Sequence, residues 1–318
     1  MLNVQSIKVL DWPMIYKVIL LLFFLPLQVF GQVQYAWLDN THQKLSNKVL
    51  DYSESIDLWI ANTTEDKKKN TSTLTVSFKT LVREGRGPVG IPEIDYRLLL
   101  PNTERKLNLI ISQEDKDDDT SEAQSVSENS NATKLTDQTS AAVGYLFETA
   151  GIKYTIKTGV LVNIPIRIFS ELTLSKDIEL NKNWVLKNRE VVKWVNTDGF
   201  YSDTDVDFER KLSDNLKFRF INNMFWDDQS YLVSFKHGPS LFQKIDNKRS
   251  LSYHAHFTTV SNPSWFVTNY ILQIKYHQLL YKKWLFGSIE PFINFPKDKN
   301  FHRTPGLILN LDMIFGDV

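Results

Sequence analysis

The 318-residue chain contains no cysteine. That excludes disulfide scaffolds, thiolate metal sites, cysteine nucleophiles and an N-terminal lipid-modified cysteine. Neither sign of charge is in excess: 37 Lys and Arg balance 37 Asp and Glu, so nothing points to a nucleic-acid partner. Gly-rich phosphate loops are missing, and so is a nucleophile elbow of the G-x-S-x-G kind. No catalytic residue, metal or cofactor is assigned on these grounds. Beyond residue 31 no apolar run reaches the roughly 20 residues that a spanning helix needs.

The N-terminus supplies the first positive signal. Lys8 and Lys17 precede an apolar run from Val18 to Phe30, broken only by Pro26 and Gln28, and Val29 and Gly31 sit three and one positions before a cut after Gly31. This is the layout of a cleaved signal peptide over 1–31, with an apolar run too short to span. The expectation is an exported chain that inserts into membranes, if at all, by strands.

Residues 32–70 read as a periplasmic amphipathic helix and linker. Leu38, Leu45, Val49, Tyr52, Ile56 and Trp59 form one apolar stripe at helical spacing, opposite Gln43, Lys44, Asn47, Lys48, Asp51 and Glu54. The stripe is expected to pack against the end or inside of the sheet that follows, since the mixed charges disfavour an anionic-lipid anchor. Residues 113–140, with Asp115 and Asp117–Asp119 among Ser, Asn and Thr, read as a disordered acidic loop without EF-hand spacing.

From about Thr71 onward apolar and polar residues alternate, with a turn every ten to fifteen positions. We read fourteen candidate strands, with twelve as the alternative, at 72–82, 93–100, 105–112, 141–149, 152–163, 165–180, 184–196, 200–211, 216–226, 230–244, 249–260, 265–280, 284–295 and 305–316. Most hold about ten residues; tilted by roughly 40°, that length crosses the ~25 Å apolar band of an outer membrane. Tight turns at 181–183, 213–215, 246–248 and 281–283 fall on one side, and the connections 83–92, 113–140, 197–199, 227–229, 261–264 and 296–304, several of them longer, on the other. Trp184, Trp226, Trp265 and Trp284 stand at strand ends, where interfacial girdles are expected.

Three constellations carry the chemistry the strands offer. Asp203, Asp205, Asp207 and Glu209 share one face of a strand, and Lys153, Lys157, Arg167, Lys217, Arg219 and Lys275 share polar faces of others. Charges of both signs inside a barrel most often pair to fill it, and a cation-selective pore lined by the acidic row is the sharper alternative. His254 and His256, two apart on one face, could bind metal with Asp312, Glu290 or His277, but no third ligand is fixed by spacing, so a polar lining is favoured. Ser252 shares the face of His254 at roughly 7 Å, too far for a direct bond without cross-strand help.

The signal at Met1–Gly31, the alternating strands and the closing Pro305–Gly316, Pro-Gly-Leu-Ile-Leu-Asn-Leu-Asp-Met-Ile-Phe-Gly, together resemble bacterial outer-membrane β-barrel proteins over roughly Thr71 to Val318. The resemblance implies an all-β, antiparallel transmembrane β-barrel with outer-membrane lipid and the barrel-assembly machinery as partners. Phe315 looks like the terminal aromatic that such machinery reads, although Gly316, Asp317 and Val318 extend beyond it. The expected role is structural or pore-like, with Asp203, Asp205, Asp207, Glu209, Lys217, Arg219, His254, His256, Lys275 and His277 lining the lumen. A lipid-modifying hydrolase using a lumen or rim histidine, and a soluble periplasmic β-protein that binds a partner, are the alternatives.

Overall fold

The computed structural model describes residues 36–61, 71–99, 107–112, 140–162 and 165–317. The expected signal peptide, the linker and nearly all of the acidic loop lie outside them. Among the described residues one α-helix, α1 (Ala36–Ala61), precedes the strands β1 (Thr73–Arg83), β2 (Val89–Leu99), β3 (Leu107–Ser112), β4 (Ser140–Thr149), β5 (Ile152–Leu161), β6 (Arg167–Glu179) and β7 (Trp184–Val195). They continue as β8 (Gly199–Ser213), β9 (Leu216–Asp227), β10 (Leu232–Lys244), β11 (Arg249–Val260), β12 (Phe266–Tyr281), β13 (Leu285–Pro296) and β14 (Thr304–Gly316).

The result is an all-β antiparallel sheet behind an N-terminal helix. Each strand pairs with its chain neighbours, and β14 also pairs with β1, from Thr73 opposite Gly316 to Arg83 opposite Gly306. β2 begins four residues earlier than its alternation suggested and takes up Pro92. Among the described residues β3 pairs with Asp95–Leu99, and this ladder stops short of Pro92.

The two faces differ as a period of two requires. On the outer face Phe78, Ile94, Ile168, Leu272 and Ile274 are between 41% and 55% exposed. The other, inner face buries Lys79, Glu171, Arg219, Lys236, His254, His256, Gln273 and Glu290. It also carries two apolar clusters: Leu81, Ile271, Phe292 and Ile308, where β1 meets β12–β14, and Ala142, Leu161, Phe169, Val195 and Tyr201. Gly306 lies under the ring of Phe292; a Cβ there would come 2.2 Å from the ring's Cζ.

The helix corrects the stripe read from its sequence. Leu45 is 42% and Tyr52 66% exposed, while Ser46, Val49, Ser53 and Asp57 are buried. The side chain of Trp59 lies outside the described residues. Polar bonding sets this register. The Tyr281 hydroxyl donates to Asp39 Oδ2 at 3.0 Å, the Lys282 ammonium lies 2.8 Å from the same oxygen, and the Tyr96 hydroxyl donates to the Val49 carbonyl at 3.4 Å. His42 Nε2 bonds the Ile314 carbonyl at 2.8 Å, and its ring stacks on Trp284 and Phe315. Tyr96 and Phe315 both pair with Leu74 and share its outward side, so α1 docks at the rim where β1, β2 and β14 end. Trp284 is consequently only 5% exposed, and this strand-end tryptophan is covered rather than free to join a girdle.

Candidate functional site

The inner faces of β7–β11 concentrate the ionisable residues. Alternation along β8 stacks Asp203, Asp205, Asp207 and Glu209 in one column, and the neighbouring strands bring their partners. Asn223 Nδ2 donates to Asp203 at 2.7 Å and to Asp205 at 2.8 Å, and Arg189 lies 3.4 Å from Asp205. Asp207 accepts the backbone N–H of Asn222 at 3.0 Å. Glu209 Oε2 accepts from Arg219 Nη2 at 2.6 Å and Nε at 3.1 Å, with Lys187 and Lys217 each at 3.8 Å from the carboxylate. Lys236 is buried within the combined field of Asp203, Asp205 and Asp207. Burying such charges is tolerable only when they are paired in this way.

Beside this column stands the histidine pair. Ser240 Oγ lies 2.9 Å from His254 Nδ1 and 2.9 Å from His256 Nε2, and all three residues are buried. Ser240 on β10 was not singled out in the sequence, because its approach to the pair depends on cross-strand register. Its alternation with Lys236 was the one available clue. Gly238 makes room for the pair: a Cβ there would come 2.1 Å from the Ala255 carbonyl oxygen and 2.9 Å from the His256 ring. Contrary to the spacing estimate, His254 Nε2 reaches Ser252 Oγ directly at 2.9 Å, because the imidazole extends along the strand.

Glu290 forms a third group. Its carboxylate, fully buried, accepts from Gln273 Nε2 and Ser288 Oγ at 2.9 Å each, with Lys275 Nζ at 3.1 Å. His277 lies apart, stacked on Phe286 at 5.5 Å, and Asp312 accepts from Ser77 at 2.5 Å and Asn310 at 2.9 Å. Glu290, His277 and Asp312 are thus engaged elsewhere than at the histidine pair. Among the described residues no three His, Asp or Glu side chains are grouped to hold a metal ion. Elsewhere on this face Lys79 pairs with Glu93 at 2.8 Å, and Glu171 sits between Lys157 and Lys193 at 3.2 and 3.7 Å. Chemically the face is a set of neutralised charges and bridging hydroxyls.

No family model and no curated protein matches the chain. Solved structures do. A loop L8 deletion mutant of OmpT, an outer membrane protein of Vibrio cholerae, is 10% identical over 79% of this chain and 100% of that chain, with a TM-score of 0.48. The outer membrane channel DcaP of Acinetobacter baumannii is 8% identical over 78% and 96%, with a TM-score of 0.43. A KdgM porin is 6% identical over 75% and 98%, with a TM-score of 0.36. These structure neighbours are outer-membrane β-barrel proteins.

Proposed function

We propose that the chain is an integral outer-membrane β-barrel of fourteen strands, of structural or transport type, with a charged lumen. The carrying observation is the inversion of its faces: the apolar side of the sheet is exposed and the charged side is buried. A soluble sheet does the opposite, and so large an exposed apolar face needs lipid against it. Trp184 and Trp194 mark the ends of β7 on the outer face. Ten residues apart, at ~3.3 Å each and a tilt of roughly 40°, they span about 25 Å, the height of an outer-membrane apolar band. Pairing of β1 with β14 leaves no open edge between first and last strand. Phe315 as the residue read by the barrel-assembly machinery, and an N-terminal signal for export, belong to the same reading.

Within the lumen Asp203, Asp205, Asp207 and Glu209 face Arg189, Arg219 and Lys236, so the acidic column is balanced rather than bare. That favours a narrow path of low ion preference over a cation-selective pore. The buried position of Ser240, His254 and His256 on the inner face, away from lipid, gives a lipid hydrolase no support. Planar-bilayer recording of the refolded chain tests the transport role. Small conductance steps with little cation preference are expected, and silent bilayers would leave only the structural role. Release from membranes by carbonate would overturn the barrel itself.

A further inference from the structure

Among the described residues, charge interrupts the outer face on β6 and β7. Along β7 the outward set reads Trp184, Leu186, Asn188, Glu190, Val192 and Trp194, so a carboxylate stands midway between the two tryptophans. Glu190 accepts from Ser202 Oγ at 2.7 Å and Thr204 Oγ1 at 2.6 Å, both on the same face of β8. The neighbouring row is polar as well. Lys176 pairs in register with Asn188, Asn188 with Val206, and Asn222 with His237. Asn222 donates to the Val206 carbonyl at 2.8 Å and faces His237 Nδ1 at 3.1 Å. Lys176 and Asn188 are exposed. At the same depth on β12, β14 and β1 the outward residues are Leu272, Leu309 and Phe78.

This rests on the membrane reading above, in which the belt lies at the level of the lipid chains. Lipid chains offer carboxylates, amides and ammonium groups no partner, and ionisable residues at that depth mark functional contacts. We propose that the belt on β6–β10 is the docking surface for a second copy of this chain. Two copies inserted in the same sense and related by a two-fold axis along the membrane normal present the same belt to each other. With the axis through β8, β7 of one copy faces β9 of the other. The acceptor Glu190 then comes opposite the amide of Asn222, each six residues from the tight-turn end of its strand. The belt carries one formal charge of each sign, so it can meet itself without repulsion. Five strands at ~4.8 Å spacing and a band of about 25 Å give on the order of 600 Å² per copy, close to the ~800 Å² per partner of stable interfaces.

The cysteine-free sequence allows a direct test. Val206→Cys places a single thiol on the proposed axis, and Leu272→Cys places one on the apolar side of the wall. Membranes carrying each variant of the full chain are washed with carbonate and then oxidised. A disulfide-linked dimer is expected from Val206→Cys and not from Leu272→Cys, and its yield should fall at least ten-fold when Glu190→Leu and Asn222→Leu are added. Heat-dependent gel mobility confirms that each variant is folded. Equal cross-linking of the two thiols, or none from Val206→Cys in carbonate-resistant membranes, would overturn the interface while leaving the barrel intact. Loss of the chain in the carbonate wash would remove the barrel and the interface together.

Discussion

The wall formed by β12, β13, β14 and β1 and the wall formed by β7–β10 use the same alternation but are held by different forces. In the first, β1 and β14 meet without a connecting turn, and its inner face carries the apolar cluster of Leu81, Ile271, Phe292 and Ile308, with the Glu290–Lys275 pair held inside the β12–β13 hairpin. The second consists of hairpins, and its inner face carries Arg189–Asp205, Arg219–Glu209 and the buried Lys236. Ion pairs need a fixed register, which a hairpin turn provides locally. Apolar contacts are non-directional and tolerate the approach of strands that meet only after a long stretch of chain. The fold thus places directional bonding among sequence neighbours and puts apolar burial at the closing pair, where Ser77–Asp312 adds one hydrogen bond.

Substitutions can break this contrast. Phe292→Ala removes the largest side chain of the closing cluster and should cost about 3–5 kcal/mol. Chemical denaturation of the refolded chain reads this, and no second polar substitution should rescue it. Glu290→Ala takes the carboxylate from Lys275, Gln273 and Ser288 and should cost a comparable ~3–5 kcal/mol. Here Glu290→Met combined with Lys275→Met should recover most of the loss; failure to recover would show that packing and not charge holds the group. Gly238→Ala should cost about 1–3 kcal/mol by forcing a Cβ against the Ala255 carbonyl and His256. A neutral result would mean that β10 and β11 are less tightly apposed there.

The smallest effect belongs to the rim. The hydrogen bond from Lys282, with a second from Tyr281, holds the Asp39 carboxyl below its ordinary value, and His42 adds to this. Its contribution to helix docking is therefore complete above the ordinary carboxylate range and fades as pH falls through the lowered value. Acrylamide quenching, compared between the native chain and Trp284→Phe, should show Trp284 becoming accessible only in strong acid. Asp39→Asn should abolish that dependence, and an unchanged profile would detach docking from this carboxylate.

Strand positions and faces were largely legible, because a period of two survives any local noise. The closing strand shows it best: Leu307, Leu309 and Leu311 alternate with Ile308, Asn310 and Asp312, and the structure keeps them on opposite sides. The contacts of α1 were not legible. Ser46, Ser53 and Asp57 stand outside the apolar stripe and were not singled out, yet small polar residues let the helix approach closely, and His42 and Asp39 bond to groups fixed only by the far end of the sheet. Lys236 and Arg189 escaped for a similar reason, since their value lies in cross-strand partners. Glu190 could have been found: a lone acid among Trp184, Leu186, Val192 and Trp194 contradicts its own face.

His42 bonds to Ile314 across 272 positions of sequence, Asp39 to Tyr281 across 242, and Ser77 to Asp312 across 235. Two of the three, to Ile314 and Asp312, require β14, whereas the bond to Tyr281 needs only the end of β12. Pairing of β14 with β1 closes a loop of 235 positions between Ser77 and Asp312, which makes that step slow. A product that stops before Thr304 would retain the hairpins up to β13 and the bond of Asp39 to Tyr281, but would lack the pairing of β1 with β14 and the bond of His42 to Ile314. The helix is thus docked in two steps, first on the end of β12 and then on β14.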